Sequence, residues 1–161
     1  LSHAPTCAYL GSRMATAEHT PQARGYDTSL FYFHHANDYW TEKVGKYTDM
    51  WKTDEPAYEL NGTRVDPNSQ GVTGDVRDYE EFKFLKYVLA TIRAHDPATP
   101  LFLFWAPHIV HSPLQLPEAY IEDFAFIAPT DKPTHQRQLY HAMVKFADDS
   151  AAARGGSNPA D

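Results

Sequence analysis

The sequence predicts an α/β chain, and three observations carry the prediction. Phe82, Leu85, Val88, Leu89 and Ile92 recur at helical spacing. Leu101-Phe102-Leu103-Phe104-Trp105-Ala106 follows as a strand-length run with no polar alternation, the pattern of a strand buried on both faces of a covered sheet. Pro107, Pro113 and Pro117 then stiffen a loop after that strand. A helix running into a doubly buried strand is half of an αβ repeat.

The chain has 161 residues and is 42% hydrophobic, enough for one domain with a core. Twelve prolines and 8 glycines break it often, which suits long shaped loops better than a helical bundle. The net charge is -7, from 14 basic and 21 acidic residues. With no Lys/Arg cluster, this balance excludes a nucleic-acid backbone as partner. No apolar run approaches the roughly 20 residues a membrane span needs. The single cysteine, Cys7, excludes an internal disulfide framework and a multi-cysteine metal site. Residues 1–5 lack signal-peptide features and the chain opens without Met, so its start is expected to be missing or processed.

In order along the chain, residues 1–25 read as irregular. Leu30 to Trp40 is dense in aromatics. Residues 41–76 hold turn chemistry, with a hairpin expected around Asn61-Gly62. The helix that carries Phe82 to Ile92, roughly four turns long, is expected to start at a cap from Asp75 or Asp78. Glu80 and Glu81 would sit at the positive end of its dipole, and Pro97 would stop it. A last helix is expected from about Thr134, with Leu139, Tyr140, Met143, Val144 and Ala147 on one face. Its direction is expected to change at Ala151 to Gly156, and the remaining tail, to Asp161, is small and polar and is expected to fray.

Ligands bind at the carboxyl ends of strands in open α/β sheets, which directs attention to His108 and His111. A hydrogen-bonded structural histidine is the plainer reading of either one. An exposed His111 at a strand end could donate to a leaving oxygen. His34, His35 and Asp38 form a second cluster, either a polar patch or a metal site; a metal hydrolase using His34, His35, His108 and His111 stays open as a weaker reading. Asn37, Asp38, Tyr39 and Trp40 could wall a polar, aromatic-lined pocket, or belong to the core. Asp148-Asp149 read as solvated helix-end charges, and Cys7, with no basic neighbour, as an unreactive thiol. Asn61-Gly62-Thr63 is a glycosylation sequon, informative only in a secreted chain.

Longer strings add a resemblance. Met14 to Pro21 with Arg24-Gly25-Tyr26-Asp27-Thr28, Tyr32 to Trp40, Pro100 to Pro117, and Tyr140 to Val144 occur in one order. These blocks resemble type I sulfatases of the arylsulfatase B kind, across roughly residues 14–149 of a 1–161 unit read as a partial sulfatase domain. The resemblance implies part of an alkaline-phosphatase-like α/β fold with an incomplete sheet. It also implies sulfate-ester hydrolysis using formylglycine and calcium, on a small sulfate ester or sulfated sugar, in a secreted or lysosome-like setting. His111 matches the family's catalytic histidine in its Val-His-x-Pro-Leu-Gln element. The sequence departs from the family in holding no Cys-x-Pro-x-Arg and none of the implied Asp and Asn calcium ligands; Cys7-Ala8-Tyr9-Leu10-Gly11 does not match. The ends read as atypical, and the chain alone is expected to be inactive. The alternative is a non-catalytic binder of sulfated sugars using the Asn37–Trp40 wall.

Overall fold

The computed structural model describes residues 6–8, 16–34, 37–53, 55–56 and 78–153, with 6–8 and 55–56 described as backbone. The expected hairpin and sequon at Asn61, and the cap residue Asp75, lie outside the described residues. Helix and strand are mixed, as the sequence predicts. The strands are Thr6–Ala8 (β1), Thr28–Phe31 (β2), Lys43–Val44 (β3), Tyr47–Thr48 (β4), Trp51–Lys52 (β5), Glu55–Pro56 (β6) and Leu103–Trp105 (β7). Five form one sheet in the order β6-β5-β2-β1-β7; β3 and β4 form a separate hairpin. β1 runs parallel to both β2 and β7, with Thr6 opposite Thr28 and Leu103. β5 is antiparallel to β2, and β6 to β5.

β1 corrects the reading of residues 1–25 as irregular. A three-residue strand carries no periodic signal of its own, and its order comes from backbone pairing on both edges. Two short 3-10 turns, Ala17–His19 and Gln22–Arg24, follow it. The β3–β4 hairpin turns at Gly45, whose φ of 60° is one that glycine adopts without a Cβ clash.

Helix α1 spans Glu80–Ala94. It begins without a side-chain cap at Tyr79, so Asp78 does not cap it. His95 Nε2 bonds the Thr99 carbonyl at 2.8 Å just past its end, and Pro97 follows as predicted. Its buried apolar positions are Phe84, Leu85 and Val88, while Ile92 is 39% exposed. Phe84 and Val88 pack with Leu30, Tyr32 and Met50, and Leu103 and Trp105 lie against this cluster. β7 is therefore covered on one face. Phe102 and Phe104 remain 55% and 41% exposed, which corrects the doubly buried strand. An apolar run shows that a strand can be buried, but covering both faces takes two layers. Among the described residues, α1 is the helix that packs on this sheet.

After the loop come a short helix, Ala119–Glu122 (α2), and the long helix Lys132–Ala153 (α3). α3 starts at Lys132, two residues before the expected Thr134, and Asp131 Oδ1 accepts the Thr134 N–H at 2.9 Å. Pro133 stands in the first turn, where its missing N–H costs nothing. The buried face holds Leu139, Ala142, Met143, Phe146, Ser150 and Ala153. Tyr140 and Val144, expected inside, are 50% and 45% exposed. Leu139 and Met143 do belong to the inward stripe, which continues through Phe146 rather than Val144. This face joins Tyr39, Trp40, Tyr79, Ile109 and Leu116 in a second core.

Leu139→Ala is expected to lower unfolding stability by about 2–5 kcal/mol, through lost burial and a residual cavity. Tyr140→Ala, one residue on, should stay within about 0.5 kcal/mol of the parent. Urea denaturation of both variants checks the rotation of the helix face.

Candidate functional site

The loop after β7 is held from below by the first turn of α1. Glu81 Oε1 accepts the His108 N–H at 2.6 Å and the Ile109 N–H at 3.2 Å. Glu80 Oε1 and His108 Nδ1 stand 3.0 Å apart and share a hydrogen bond. Both glutamates are buried, at 0% and 1% exposure. Their position in the helix's first turn was legible; their burial was not, because a charged pair there reads as solvated. Burial, with the neighbouring Glu80, pushes the Glu81 carboxyl up to about 8 against its two backbone hydrogen bonds. Burial drives Glu80 well above the carboxylate range and, with His111, takes His108 down to about 3. Geometry alone would allow a Glu80–His108 ion pair. Desolvation of both partners favours the neutral pair instead.

The loop is also held from above. The Tyr39 ring stacks on the His108 ring, with centroids 4.2 Å apart and planes 15° apart. The Tyr39 hydroxyl donates to the His111 carbonyl at 3.2 Å. Gln115 is buried; its Oε1 accepts the Tyr39 N–H at 3.0 Å and its Nε2 donates to Asp38 Oδ2 at 2.8 Å. The Tyr79 hydroxyl donates to the Gln115 carbonyl at 2.8 Å.

His108 and His111 thus have different roles. His108 is a buried strut. His111 is exposed, and its Nδ1 donates to the Ser112 carbonyl at 2.8 Å. A carbonyl only accepts, so Nδ1 carries the proton and Nε2 is the nitrogen available to a ligand. The two ring centroids are 5.7 Å apart.

Other sequence candidates separate. His34 Nδ1 donates to Asp49 Oδ2 at 2.7 Å, not to Asp38, and His35 lies outside the described residues. Asp38 is buried; its Oδ1 accepts the N–H groups of Trp40 and Thr41. Asn37, Asp38, Tyr39 and Trp40 are all buried at 8% exposure or less. They are core and loop braces, which corrects their reading as a pocket wall: aromatics close to buried hydrogen-bond partners fill space rather than line it. Asp149 pairs with Lys145 at 2.7 Å on α3, apart from the loop. The backbone of Cys7 lies in β1.

Among the described residues, one cluster has ligand atoms close enough to hold a metal ion: Glu80, Glu81 and His108, with one atom from each within 4.8 Å of the others. Sequence reading missed it because the glutamates and the histidine are 27 residues apart or more. Two carboxylates and an imidazole fit a zinc-class ion better than calcium, which takes about six to eight oxygens. Among the described residues, His34, His108 and His111 do not form a metal-ligand cluster, and His35 lies outside those residues.

No family model matches the sequence. The comparison with curated proteins points to one class, the sulfatases. Arylsulfatase J of Mus musculus is 30% identical over 135 residues, which is 81% of this chain and 19% of that protein. The chain therefore spans about a fifth of the length of the curated relative it matches. This likeness supports a sulfatase relationship and agrees with the resemblance read in the sequence. Among the described residues no helix is long and apolar enough to cross a membrane.

The buried cluster sets a pH dependence. Between pH 4.5 and about 8, folded Glu81 holds a proton that the unfolded chain has released, so stability falls as pH rises through that window. His108 acts in the opposite sense, adding stability as pH rises from about 3 to 6.5. Above 6.5 the glutamates act without His108, and Glu80 and Glu42, also raised by burial, slope stability in the same direction. The thermal midpoint should drop from pH 6.5 to 8, and Glu81→Gln should reduce that slope while keeping an acceptor for the two loop N–H groups. An equal slope in both proteins would place the titrating group elsewhere.

Proposed function

We propose that this chain is a sulfatase-type segment in which His111 faces a sulfate ester, and that the chain does not turn the ester over by itself. The observation that supports this reading most is the exposed His111 imidazole at the carboxyl end of β7, in a chain 30% identical to an arylsulfatase over 135 residues. With Nδ1 tied to Ser112, Nε2 when protonated can donate to a sulfate oxygen or give its proton to the departing ester oxygen. The loop is braced by Glu81, Tyr39 and Gln115, so the imidazole's carrier is positioned before substrate arrives. An alkaline-phosphatase-like context for the sheet is part of the same proposal, as is a role within a hydrolase.

The remaining chemistry would come from groups that this chain does not supply. The sequence contains no Cys-x-Pro-x-Arg, so it offers no formylglycine precursor. The sulfatase relationship suggests calcium, which would neutralise charge on the sulfate when bound. The Glu80–Glu81–His108 donor set does not fit calcium, and no step here runs through a metal. A lone imidazole gives acid–base assistance without a nucleophile.

The purified chain, supplied with calcium, is expected to hydrolyse an aryl sulfate no faster than buffer. Titration with the same ester should nonetheless shift the His111 ring resonances in a proton NMR spectrum and leave those of His95 in place. Turnover that disappears in His111→Ala would overturn the claim of inactivity. An ester that leaves the His111 signals unmoved would remove the sulfate-facing role.

A further inference from the structure

We propose that a recess beside the β3–β4 hairpin binds a single aromatic ring carrying an oxyanion. The recess has a volume of about 410 Å³ and is lined by Phe33, His34, Val44, Tyr47, Thr48 and Trp51, with Asp49 beside His34. That volume falls in the range of small-ligand pockets. None of these residues belongs to the His111 loop, so the recess stands apart from the proposed sulfate-facing site.

Its apolar wall is built in advance. Phe33 packs edge-to-face on Trp51, with centroids 5.2 Å apart, and again on Phe31 at 5.1 Å. Tyr47 stands opposite Val44 in the hairpin and is 68% exposed. An exposed aromatic next to two fixed ones leaves a slot for a flat ring. Polar groups are few: the His34 imidazole and the Thr48 and Tyr47 hydroxyls. A saccharide needs many hydrogen-bond partners, so this lining favours an arene with one polar substituent.

The charges decide the sign of that substituent. Asp49 is the recess's acid, and its carboxylate already accepts three N–H donors. These are the Phe33 backbone at 3.0 Å, the His34 backbone at 2.8 Å and the His34 ring at 2.7 Å. Because the His34 Nδ1–H points to Asp49, Nε2 is left for a ligand and donates to an oxyanion when the imidazole is protonated; the side chain is 59% exposed. Lys46 Nζ lies 5.1 Å from the Tyr47 ring centroid. Lys43 is the cross-strand partner of Thr48 and shares its face of the hairpin. Among the described residues neither lysine forms an ion pair. In a chain of net charge -7 this is a locally basic rim, complementary to an anion.

The test is titration of the full chain with benzoate, phenyl sulfate and phenol. Calorimetry gives the affinities, and the tryptophan indole N–H resonances, assigned through Trp51→Phe, locate the site. At least one oxyanion should bind about tenfold more tightly than phenol, moving the Trp51 indole signal and not those of Trp40 and Trp105. Comparable binding of benzoate and phenyl sulfate assigns the shared oxyanion; phenyl sulfate alone restricts it to sulfate, and both support the site. Followed at the Trp51 indole signal, Tyr47→Ala and Lys46→Gln should each weaken binding by about three- to tenfold, while Tyr140→Ala and His111→Ala leave that response unchanged. Circular dichroism confirms that each variant is folded. No saturable binding by any probe, equal affinity for phenol, or unchanged affinity in both recess variants would overturn the proposal. Loss of the Trp51 response in His111→Ala would transfer the ligand to the other site and overturn it as well.

Discussion

The arrangement depends on one buried carboxyl group. Glu81 receives two consecutive backbone N–H groups, from His108 and Ile109, where the chain leaves β7. Those donors point into the protein and have no strand partner there, so an unsatisfied pair would cost about 1–3 kcal/mol for each group. Meeting them from the first turn of α1 ties the helix to the loop. Glu80 extends the contact through His108, and Tyr39 closes it from the other side by stacking on the same ring. The aromatic core of Tyr39, Tyr79, Trp40 and Phe146 then packs around this joint.

Burial at the joint divides the labour between two histidines three residues apart. His108 lies inside, beside a protonated-type carboxyl, and is held neutral by desolvation. It gives the loop its shape. His111 lies outside, with one nitrogen spent on a neighbouring carbonyl and the other facing solvent. The same cluster that fixes His108 has ligand atoms suited to a metal ion. Yet its atoms already satisfy the loop, and a metal would have to displace the hydrogen bonds that hold it.

Asp49 plays a comparable part on the other side of the sheet edge. Its carboxylate organises the Phe33–His34 backbone and the His34 ring, while its own carbonyl accepts the Asn37 side-chain N–H at 2.7 Å. Asn37 to Trp40, with the composition of a pocket wall, thereby become support for a recess formed by their neighbours. The aromatic-rich segment does border a cavity, but through Phe33, with Trp51 from β5, rather than through Asn37 to Trp40.

The sequence by itself determined the places of α1, β7 and the following loop, because periodicity, apolar runs and prolines act over a few residues. It also determined the likeness to sulfatases and the lack of a Cys-x-Pro-x-Arg motif. The tertiary structure decided which faces are covered, and it placed β1 between two strands that short-range pattern could not connect. It decided that Glu80 and Glu81 are interior, that His108 is a strut and His111 is accessible, and that His34 pairs with Asp49. Each of those outcomes turns on a partner far along the chain, such as Glu81 for His108 across 27 residues or Gln115 for Tyr39 across 76. Local spacing reports how a segment can fold; desolvation, which sets the roles of its polar groups, is a property of what packs on top of it.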